Sequence, residues 1–198
     1  MASADKPDLS GTWTAYLEES LSVLEAVRTS VDPAEVDKVV AVMTESLAKD
    51  LPLLVCGNGG SASDAMHITG ELVGRFLEER RALNVICLSS NPAVLTAWSN
   101  DYSYDTVFSR QTEAYARPGG CILGISTSGN SNNVIEAFKV AKARGMITVG
   151  LTGQGGGKMA PFCDYRLEAP SKSTPLIQQV HIVLYHYLCA RMEVLLKG

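Results

Sequence analysis

Short apolar runs alternate with amphipathic segments along most of this chain. The runs predict four buried strands and a weaker fifth, at 51–56, 84–88, 121–125, 147–151 and 165–167. The segments between them predict helices at 62–76, 91–100, 104–115 and 132–144, and a long last helix from about Pro175 to Leu196. Strands that are apolar on both faces are typical of a parallel sheet covered by helices on both sides. The pattern therefore predicts an α/β fold.

Two further helices are predicted ahead of the first strand. The first extends from about Ser10 to Arg28. The second has a clear start, with Asp32 as the N-cap, Pro33 as the first helical residue and Glu35 completing a capping box. These capping signals predict the start of the second helix more precisely than the apolar pattern alone does.

The chain reads as one domain over residues 1–198, because no repeat, low-complexity tract or linker interrupts it. Residues 1–50 hold the N-terminal helices, for which a role in oligomer packing is expected. Residues 51–198 hold the sheet core and the C-terminal helix. With 198 residues, the chain is long enough for a full core.

Composition excludes several classes of protein. Hydrophobic residues make up 46% of the chain, which is typical of a globular protein. The net charge is −4, and no basic stripe is present, so no nucleic-acid partner is expected. No apolar run is long enough to span a membrane and no apolar segment follows Met1, so neither a membrane span nor a signal peptide is expected. Five cysteines without CxxC spacing fit a reducing, cytoplasmic location.

A polar loop joins the third predicted strand to the helix that follows it. It offers hydroxyl groups from Ser126, Thr127, Ser128 and Ser131 at the helix N-terminus. Free backbone N–H groups and the helix dipole favour an anion there. Because the loop has no Lys or Arg, it suits a phosphate monoester held by hydrogen bonds. The alternative is an ordinary Ser/Gly turn.

A second polar loop, at 57–62, follows the first predicted strand. It matches the loose pattern GxGxxA, which would suit a dinucleotide if an acidic residue ended the second strand. That strand runs instead into 88–91, which contains no acid. We therefore interpret the loop as a ligand contact through Asn58 and Ser61, with a tight strand-to-helix turn as the alternative.

The three histidines fall in two predicted helices. His67 and Glu71 are four residues apart and share one helix face, as a surface pair would also do. Gln178 and His186 lie on the C-terminal helix, eight residues and about 12 Å apart along its axis. If both reach one site, one of them comes from another subunit, which predicts an oligomer with its site at an interface. His181 faces elsewhere and is interpreted as structural, and His186 could also simply pack among apolar neighbours.

Taken together, these motifs resemble the phosphoheptose isomerases of the sugar isomerase (SIS) fold. The resemblance runs from about residue 50 to the end of the chain. The segments that carry it are 56–61, 64–67, 71–75, 100–102, 125–131, 151–153 and 177–182.

The resemblance implies a three-layer α/β/α sandwich with a five-stranded parallel sheet, of flavodoxin-like topology, and a homotetramer with sites at subunit interfaces. It also implies conversion of sedoheptulose 7-phosphate to D-glycero-D-manno-heptose 7-phosphate, the first step of nucleotide-activated heptose biosynthesis. The implied phosphate ligands are Ser126, Thr127, Ser128 and Ser131, with Ser61. The implied sugar contacts are Asn58, Gly59, Gly60, Glu71, Asn100, Asp101 and Gln178.

The resemblance further implies a zinc ion, one per subunit, on His67, Glu71, Gln178 and His186. Aldose–ketose isomerisation needs a base and a proton shuttle, for which Glu71 and His186 are the candidates. One departure from the family pattern is Gln179, where a Glu is expected, and the exchange removes a charge. Thr69 and Gly70 also replace the bulkier or alanine-like residues expected there.

Two rival functions remain open from the sequence. One is a non-catalytic SIS protein, such as an adaptor that binds the replication initiator; the presence of Glu71 and His186 argues against it. The other is an isomerase for a pentose or hexose phosphate. The downstream glycan and the nucleotide, ADP or GDP, are not encoded in any recognisable motif.

Overall fold

The computed structural model describes residues 11–197. Within that range the chain forms seven α-helices and five β-strands. The helices are α1 (Trp13–Ser30), α2 (Pro33–Ala48), α3 (Gly60–Val73), α4 (Pro92–Asp101), α5 (Val107–Tyr115), α6 (Asn132–Ala143) and α7 (Thr174–Leu196). The strands are β1 (Leu53–Gly57), β2 (Val85–Cys87), β3 (Cys121–Ser126), β4 (Ile147–Gly153) and β5 (Tyr165–Ala169).

All five strands are parallel and form one sheet in the order β2-β1-β3-β4-β5. This is the flavodoxin-like order, in which the chain reverses direction across the sheet between β1 and β3. The register pairs Gly57 with Ile125, and Ser126 with Thr152. The carboxyl ends of β1, β3 and β4 therefore meet at one edge, where open α/β sheets bind their ligands.

Helices cover both faces of the sheet and give the three layers that the sequence predicts. One apolar core joins the sheet to α2, α3 and α7, with α1 packed on its outside. A second core joins the other face to α5 and α6, with α4 alongside. Alternate strand residues serve the two cores, since Leu53 and Val55 face one and Leu54 faces the other.

Polar caps set the helix starts near the predicted positions. Asp32 accepts a hydrogen bond from the Ala34 N–H at 2.9 Å, which confirms it as the N-cap of α2. Glu35 instead forms an ion pair with Lys38 at 3.4 Å. Asn91 caps α4 in the same manner as Asp32 caps α2, through the N–H groups of Ala93 and Val94.

Several predicted boundaries differ from the structure. The predicted start of the first helix, Ser10, lies outside the described residues. The helix predicted over 104–115 is a 3₁₀ turn at Tyr104–Thr106 followed by α5. The helix predicted over 62–76 begins and ends earlier, because Gly59 and Gly74 flank it. A 3₁₀ turn at Gly157–Phe162 was not predicted, since Pro161 and three consecutive glycines, 155–157, give no helical pattern.

The five cysteines are free, and four of them are buried. Burial raises the pKa of Cys121 and of Cys189 to about 12. The half-buried Cys163 has its pKa raised to about 11, again chiefly by burial. Each therefore packs as a small apolar side chain, as predicted for those in the strands. No helix within residues 11–197 is long and apolar enough to cross a membrane.

Candidate active site

The serine loop after β3 is folded around its own hydroxyl groups. Ser126 Oγ lies 2.8 Å from Ser131 Oγ, and Ser128 Oγ accepts a hydrogen bond from the Asn130 N–H at 3.2 Å. Ser131 is the N-cap residue of α6, but its side chain makes no capping hydrogen bond. Its hydroxyl is directed to Ser126 instead, and the first turn of α6 keeps the anion-binding character of a helix N-terminus.

The glycine-rich segment 153–157, at the end of β4, packs against the backbone of the serine loop. The Gly153 N–H donates to the Thr127 carbonyl at 3.0 Å, and the Met159 N–H donates to the Gly129 carbonyl at 2.8 Å. Gly129 has φ of 64°, and a Cβ there would collide with the Gly156 carbonyl. The close backbone approach requires glycine, so this segment fixes the shape of the candidate phosphate loop.

The loop after β1 is fixed by an amide pair that links it to the first turn of α6, directly after the serine loop. Asn58 and Asn133 exchange two side-chain hydrogen bonds, each 2.9 Å long. The Tyr104 hydroxyl donates to the same Asn58 oxygen at 2.7 Å. Gly59 has φ of 56°, and Ser61 is buried at the start of α3. The two polar loops predicted from the sequence thus lie side by side.

His67, Glu71 and His186 form a cluster between α3 and α7. One nitrogen or oxygen atom from each lies within 4.8 Å of the others, close enough to hold one metal ion. His67 Nε2 is 2.8 Å from Glu71 Oε1, and the His67 and His186 rings are 5.1 Å apart at their centroids. The buried His186 Nε2 has no hydrogen-bond partner among the described residues. Two imidazoles and a carboxylate are a donor set that suits zinc.

A tyrosine and an aspartate stand behind His67. His67 Nδ1 lies 3.0 Å from the Tyr185 hydroxyl, which donates to Asp64 Oδ1 at 3.5 Å. Burial raises the pKa of Asp64, although Tyr185 and His67 oppose that shift. Burial and the Asp64 charge raise the pKa of Tyr185. If the hydroxyl donates to Asp64, it accepts from His67 Nδ1–H, and Nε2 is left to face the cluster.

A buried ion pair lies at the far end of the same two helices. Arg80 Nη2 is 2.9 Å from Glu193 Oε1, and the exposed fractions of their side chains are 1% and 0%. Burial opposes ionisation of Glu193, but hydrogen bonds from the N–H groups of Leu77, Phe76 and Glu78, with Arg80, hold its pKa below the usual range. The pair is therefore charged at neutral pH.

The structure places the remaining predicted site residues as follows. Gln178 packs against Gly60, where a Cβ would collide with its side-chain amide. It thus lies by the loop after β1, about two turns of α7 from His186. Asn100 and Asp101 end α4, are exposed, and hydrogen-bond to each other at 2.9 Å. Within one chain, His67, Glu71 and His186 are brought together, and Gln178 stands about 12 Å from His186 along the axis of α7.

Two residues singled out on α7 have contacts away from the cluster. His181 is fully buried, and its Nε2 lies 3.0 Å from the Thr152 carbonyl. Gln179 donates to the Ser20 carbonyl of α1 at 3.0 Å. A glutamate at that position could not donate this hydrogen bond, so the departure from the family pattern affects a contact between helices.

Sequence reasoning missed the residues that hold Asn58 and His67 in place. Tyr104, Asn133 and Tyr185 each hold a predicted site residue, but they lie between 46 and 118 positions from it in the chain. What could have pointed to them is proximity in sequence to the histidines: Tyr185 directly precedes His186, and Asp64 lies one helical turn before His67.

Comparison with known proteins agrees with this architecture. Residues 15–153 match the family model of the SIS domain. The parallel sheet with polar loops at its carboxyl edge, together with this match, defines an SIS-domain protein of the sugar isomerase type.

The relatives narrow this class further. The phosphoheptose isomerase of Crocosphaera subtropica is 43% identical over 178 residues, which cover 90% of this chain and 91% of that protein. That of Aliarcobacter butzleri is 48% identical over 174 residues, 88% of this chain and 91% of that protein. The solved phosphoheptose isomerase from Neisseria gonorrhoeae has a TM-score of 0.86 at 38% identity, covering 91% of this chain and 96% of its own. The chain belongs to the phosphoheptose isomerase family.

Proposed function

We propose that this protein interconverts sedoheptulose 7-phosphate and D-glycero-D-manno-heptose 7-phosphate, at the start of nucleotide-activated heptose biosynthesis. The observation that carries the proposal is the meeting of Glu71, His67 and His186 between α3 and α7, in a chain whose two polar loops lie together at the carboxyl edge of the sheet. Family membership supports the same activity. A ketose and an aldose that differ only at C1 and C2 need no external oxidant, so the chain's own acid–base groups suffice.

The proposed substrate contacts divide between the two loops. Ser126, Thr127, Ser128 and Ser131, with Ser61, bind the phosphate through hydroxyl and backbone hydrogen bonds. The sugar contacts proposed are Asn58, Gly59, Gly60, Glu71, Asn100, Asp101 and Gln178. Anchoring the phosphate orients the far end of the sugar, which supplies part of the rate acceleration.

In the proposed mechanism, Glu71 removes a proton from C1 of the ketose, and the electron pair forms the C1=C2 bond of the enediol. His186 gives a proton to O2 and takes the proton from O1, so that C1 becomes the aldehyde carbon. Glu71 returns its proton to C2. The atoms and electrons balance within the sugar, and both side chains end in their starting forms.

We also propose that the cluster holds a zinc ion, one per subunit. Two observations support the fit of these residues to a metal ion: His186 Nε2 is buried without a hydrogen-bond partner among the described residues, and one donor atom from each of His67, Glu71 and His186 lies within 4.8 Å of the others. His67, Glu71 and His186 would be ligands, with Gln178 as a fourth, supplied by a neighbouring subunit because it lies apart in one chain. Bound zinc would act as a Lewis acid on the carbonyl oxygen.

A homotetramer is the proposed assembly. Trp13, Leu17 and Leu21 share one exposed face of α1, and Val183 and Tyr187 share one of α7. Exposed apolar faces of this kind mark interaction surfaces. Light scattering on the purified protein should give about four times the chain mass of 21.2 kDa, and a monomer mass would contradict both the assembly and the shared zinc site.

Proton NMR in D₂O with the zinc-supplemented protein tests the reaction. Sedoheptulose 7-phosphate should yield an aldose anomeric signal, and deuterium should appear at C2 of the product. A folded protein that leaves the sugar unchanged would contradict the proposal. Binding without turnover would favour a non-catalytic phosphosugar-binding protein, and turnover of a pentose or hexose phosphate alone would favour a different isomerase.

A further inference from the structure

The buried pair of Arg80 and Glu193 contacts the backbone of the site at two points. Arg80 Nη2 donates to the Glu71 carbonyl at 2.7 Å, and Nη1 donates to the Gly74 carbonyl at 2.8 Å. These carbonyls belong to the last turn of α3 and its C-cap, which have no partners within the helix. The guanidinium therefore fixes the end of the helix on which Glu71 stands.

Glu193 fixes the other side of the cluster. Its carboxylate accepts hydrogen bonds from the N–H groups of Phe76, Leu77 and Glu78 at 2.8, 2.6 and 3.0 Å. The Phe76 ring stacks on the His186 ring, with centroids 5.4 Å apart and planes 26° apart. Glu193 also stands two turns after His186 on the same face of α7.

A buried ion pair is a costly way to close a helix end. Desolvation of two charges offsets much of their attraction, so an apolar pair would serve stability equally well. What an apolar pair cannot do is hold two carbonyl groups and three N–H groups at fixed positions. Each of these groups lies within a few residues of Glu71 or carries the ring that packs on His186.

We infer that Arg80 and Glu193 are positioning residues for the reaction, which together set the placement of Glu71 against His186. The inference rests on the isomerase activity proposed above. The phosphate loop lies at the other end of α3, between β3 and α6. A shift at the far end of α3 should therefore slow the chemical step and leave phosphate binding intact.

Two variants test the ion pair, one at Arg80 and one at Glu193. Arg80→Lys keeps the positive charge beside Glu193, but one ammonium group cannot reproduce the forked contacts with two carbonyls. Glu193→Asp keeps the ion pair and withdraws the carboxylate from the three N–H groups by one methylene. Both retain the buried charge balance, so both should fold.

A matched control is available at the opposite edge of the sheet. Asp164 accepts hydrogen bonds from the N–H and hydroxyl groups of Thr148, both at 2.9 Å, and pairs with Lys142. Thr148 lies at the amino end of β4, away from the cluster. Asp164→Asn therefore disturbs a carboxylate that also accepts a backbone N–H and pairs with a cation, although it is 37% exposed, and that has no route to Glu71.

Steady-state kinetics and thermal unfolding should be measured for the wild type and the three variants. We expect kcat to fall at least about tenfold in Arg80→Lys and Glu193→Asp, with KM within about twofold of the wild type. Asp164→Asn should keep kcat within about twofold. Because partial unfolding also lowers apparent kcat at constant KM, kcat is expressed per folded molecule, with the folded fraction at the assay temperature taken from the unfolding curve. A positioning role requires that the loss of kcat remain after this correction.

Other results overturn the inference. Folded variants with wild-type kcat, or a loss of kcat in Asp164→Asn equal to theirs, would do so. Failure of both Arg80→Lys and Glu193→Asp to unfold cooperatively would assign the pair to stability alone. An inactive wild type would overturn the proposed isomerase itself, whereas an active wild type with unaffected variants would overturn only the positioning role.

Discussion

Glu71 has two tasks at the residue scale, because it is both a candidate ligand and the candidate base. Its carboxylate lies 2.8 Å from His67, and its side chain is only 21% exposed. A glutamine has the same shape and can still accept a hydrogen bond, but it cannot take a proton from carbon. Substitution by Gln therefore separates the chemical step from binding.

Glu71→Gln should lower kcat by about 10³-fold, the usual effect of removing a general base, and leave phosphosugar binding largely intact. Turnover is measured by NMR and binding by calorimetry with sedoheptulose 7-phosphate. Glu79→Gln, which alters only an exposed pair with Arg75, is the control. If binding is lost together with turnover, Glu71 acts chiefly as a ligand.

Ser128 carries a second prediction at this scale, since its exposed hydroxyl lies in the middle of the serine loop. Ser128→Ala should raise KM by about tenfold, the effect of one lost hydrogen bond to a charged group, with kcat little changed. Ser22→Ala, on the exposed face of α1, is the control. An unchanged KM would mean that the phosphate binds at another part of the carboxyl edge of the sheet.

Much of the site could be predicted one residue at a time. The hydroxyl-rich loop and the pair of His67 and Glu71 follow from local sequence, because loop composition and helical spacing suffice. Tyr185, Arg80 and Glu193 could not be found in this way. Their partners lie far along the chain, and only the packing of α3 beside α7 brings them into contact.

At the scale of elements, the serine loop depends on the glycine-rich segment behind it. Gly129 and Gly155 both have positive φ, 64° and 86°, but only Gly129 approaches another backbone. A side chain at either position costs about 1–2 kcal/mol in backbone strain. At Gly129 it must also displace the Gly156 carbonyl. Comparing a side chain at Gly129 with one at Gly155 therefore isolates the cost of this backbone contact.

Gly129→Ala should therefore lower the free energy of unfolding by about 2 kcal/mol more than Gly155→Ala, a difference of about 4–8 °C in the unfolding midpoint. It should also raise KM, because the loop loses its shape. Thermal unfolding and steady-state kinetics check both effects. Equal midpoints for the two variants would show that the loops separate without cost.

The sequence predicted which helices and strands exist better than it predicted the residues at which they begin and end. Continuous apolar runs identify buried strands well, and all five strands lie within a few residues of the predicted positions. Helix ends depend on caps, so α2 was placed correctly from Asp32 and Pro33. Gly74 ends α3 earlier than the apolar pattern predicts, and the contact of Arg80 with the Gly74 carbonyl, which no local pattern encodes, adds a tertiary partner at that end.

For the whole molecule, His181 links stability to pH. Burial lowers its pKa to about 4 from an ordinary value of 6.5, although its hydrogen bond to Thr152 opposes the shift. The unfolded chain therefore binds a proton at a pH where the folded chain does not. Stability is complete above about pH 6.5 and falls as the pH drops toward 4.

The free energy of unfolding should fall by about 2 kcal/mol from this group between pH 8 and pH 5. Urea unfolding at fixed protein concentration measures it. His181→Gln lacks the titrating ring and should show a shallower pH dependence over that interval. Identical pH dependence in the variant and the wild type would mean that His181 protonates freely in the folded chain.

The buried cysteines, Cys121 and Cys189 among them, are protected from alkylating reagents in the folded state, whereas Cys163 is only half-buried. The thiolate is the reactive form, and a thiol whose pKa is about 12, as in Cys121 and Cys189, is almost wholly protonated near pH 8. Iodoacetamide therefore reaches these sulfurs only when the sheet or α7 opens. The rate at which mass spectrometry detects carbamidomethylation of Cys121 and Cys189 therefore measures the rate at which the core opens.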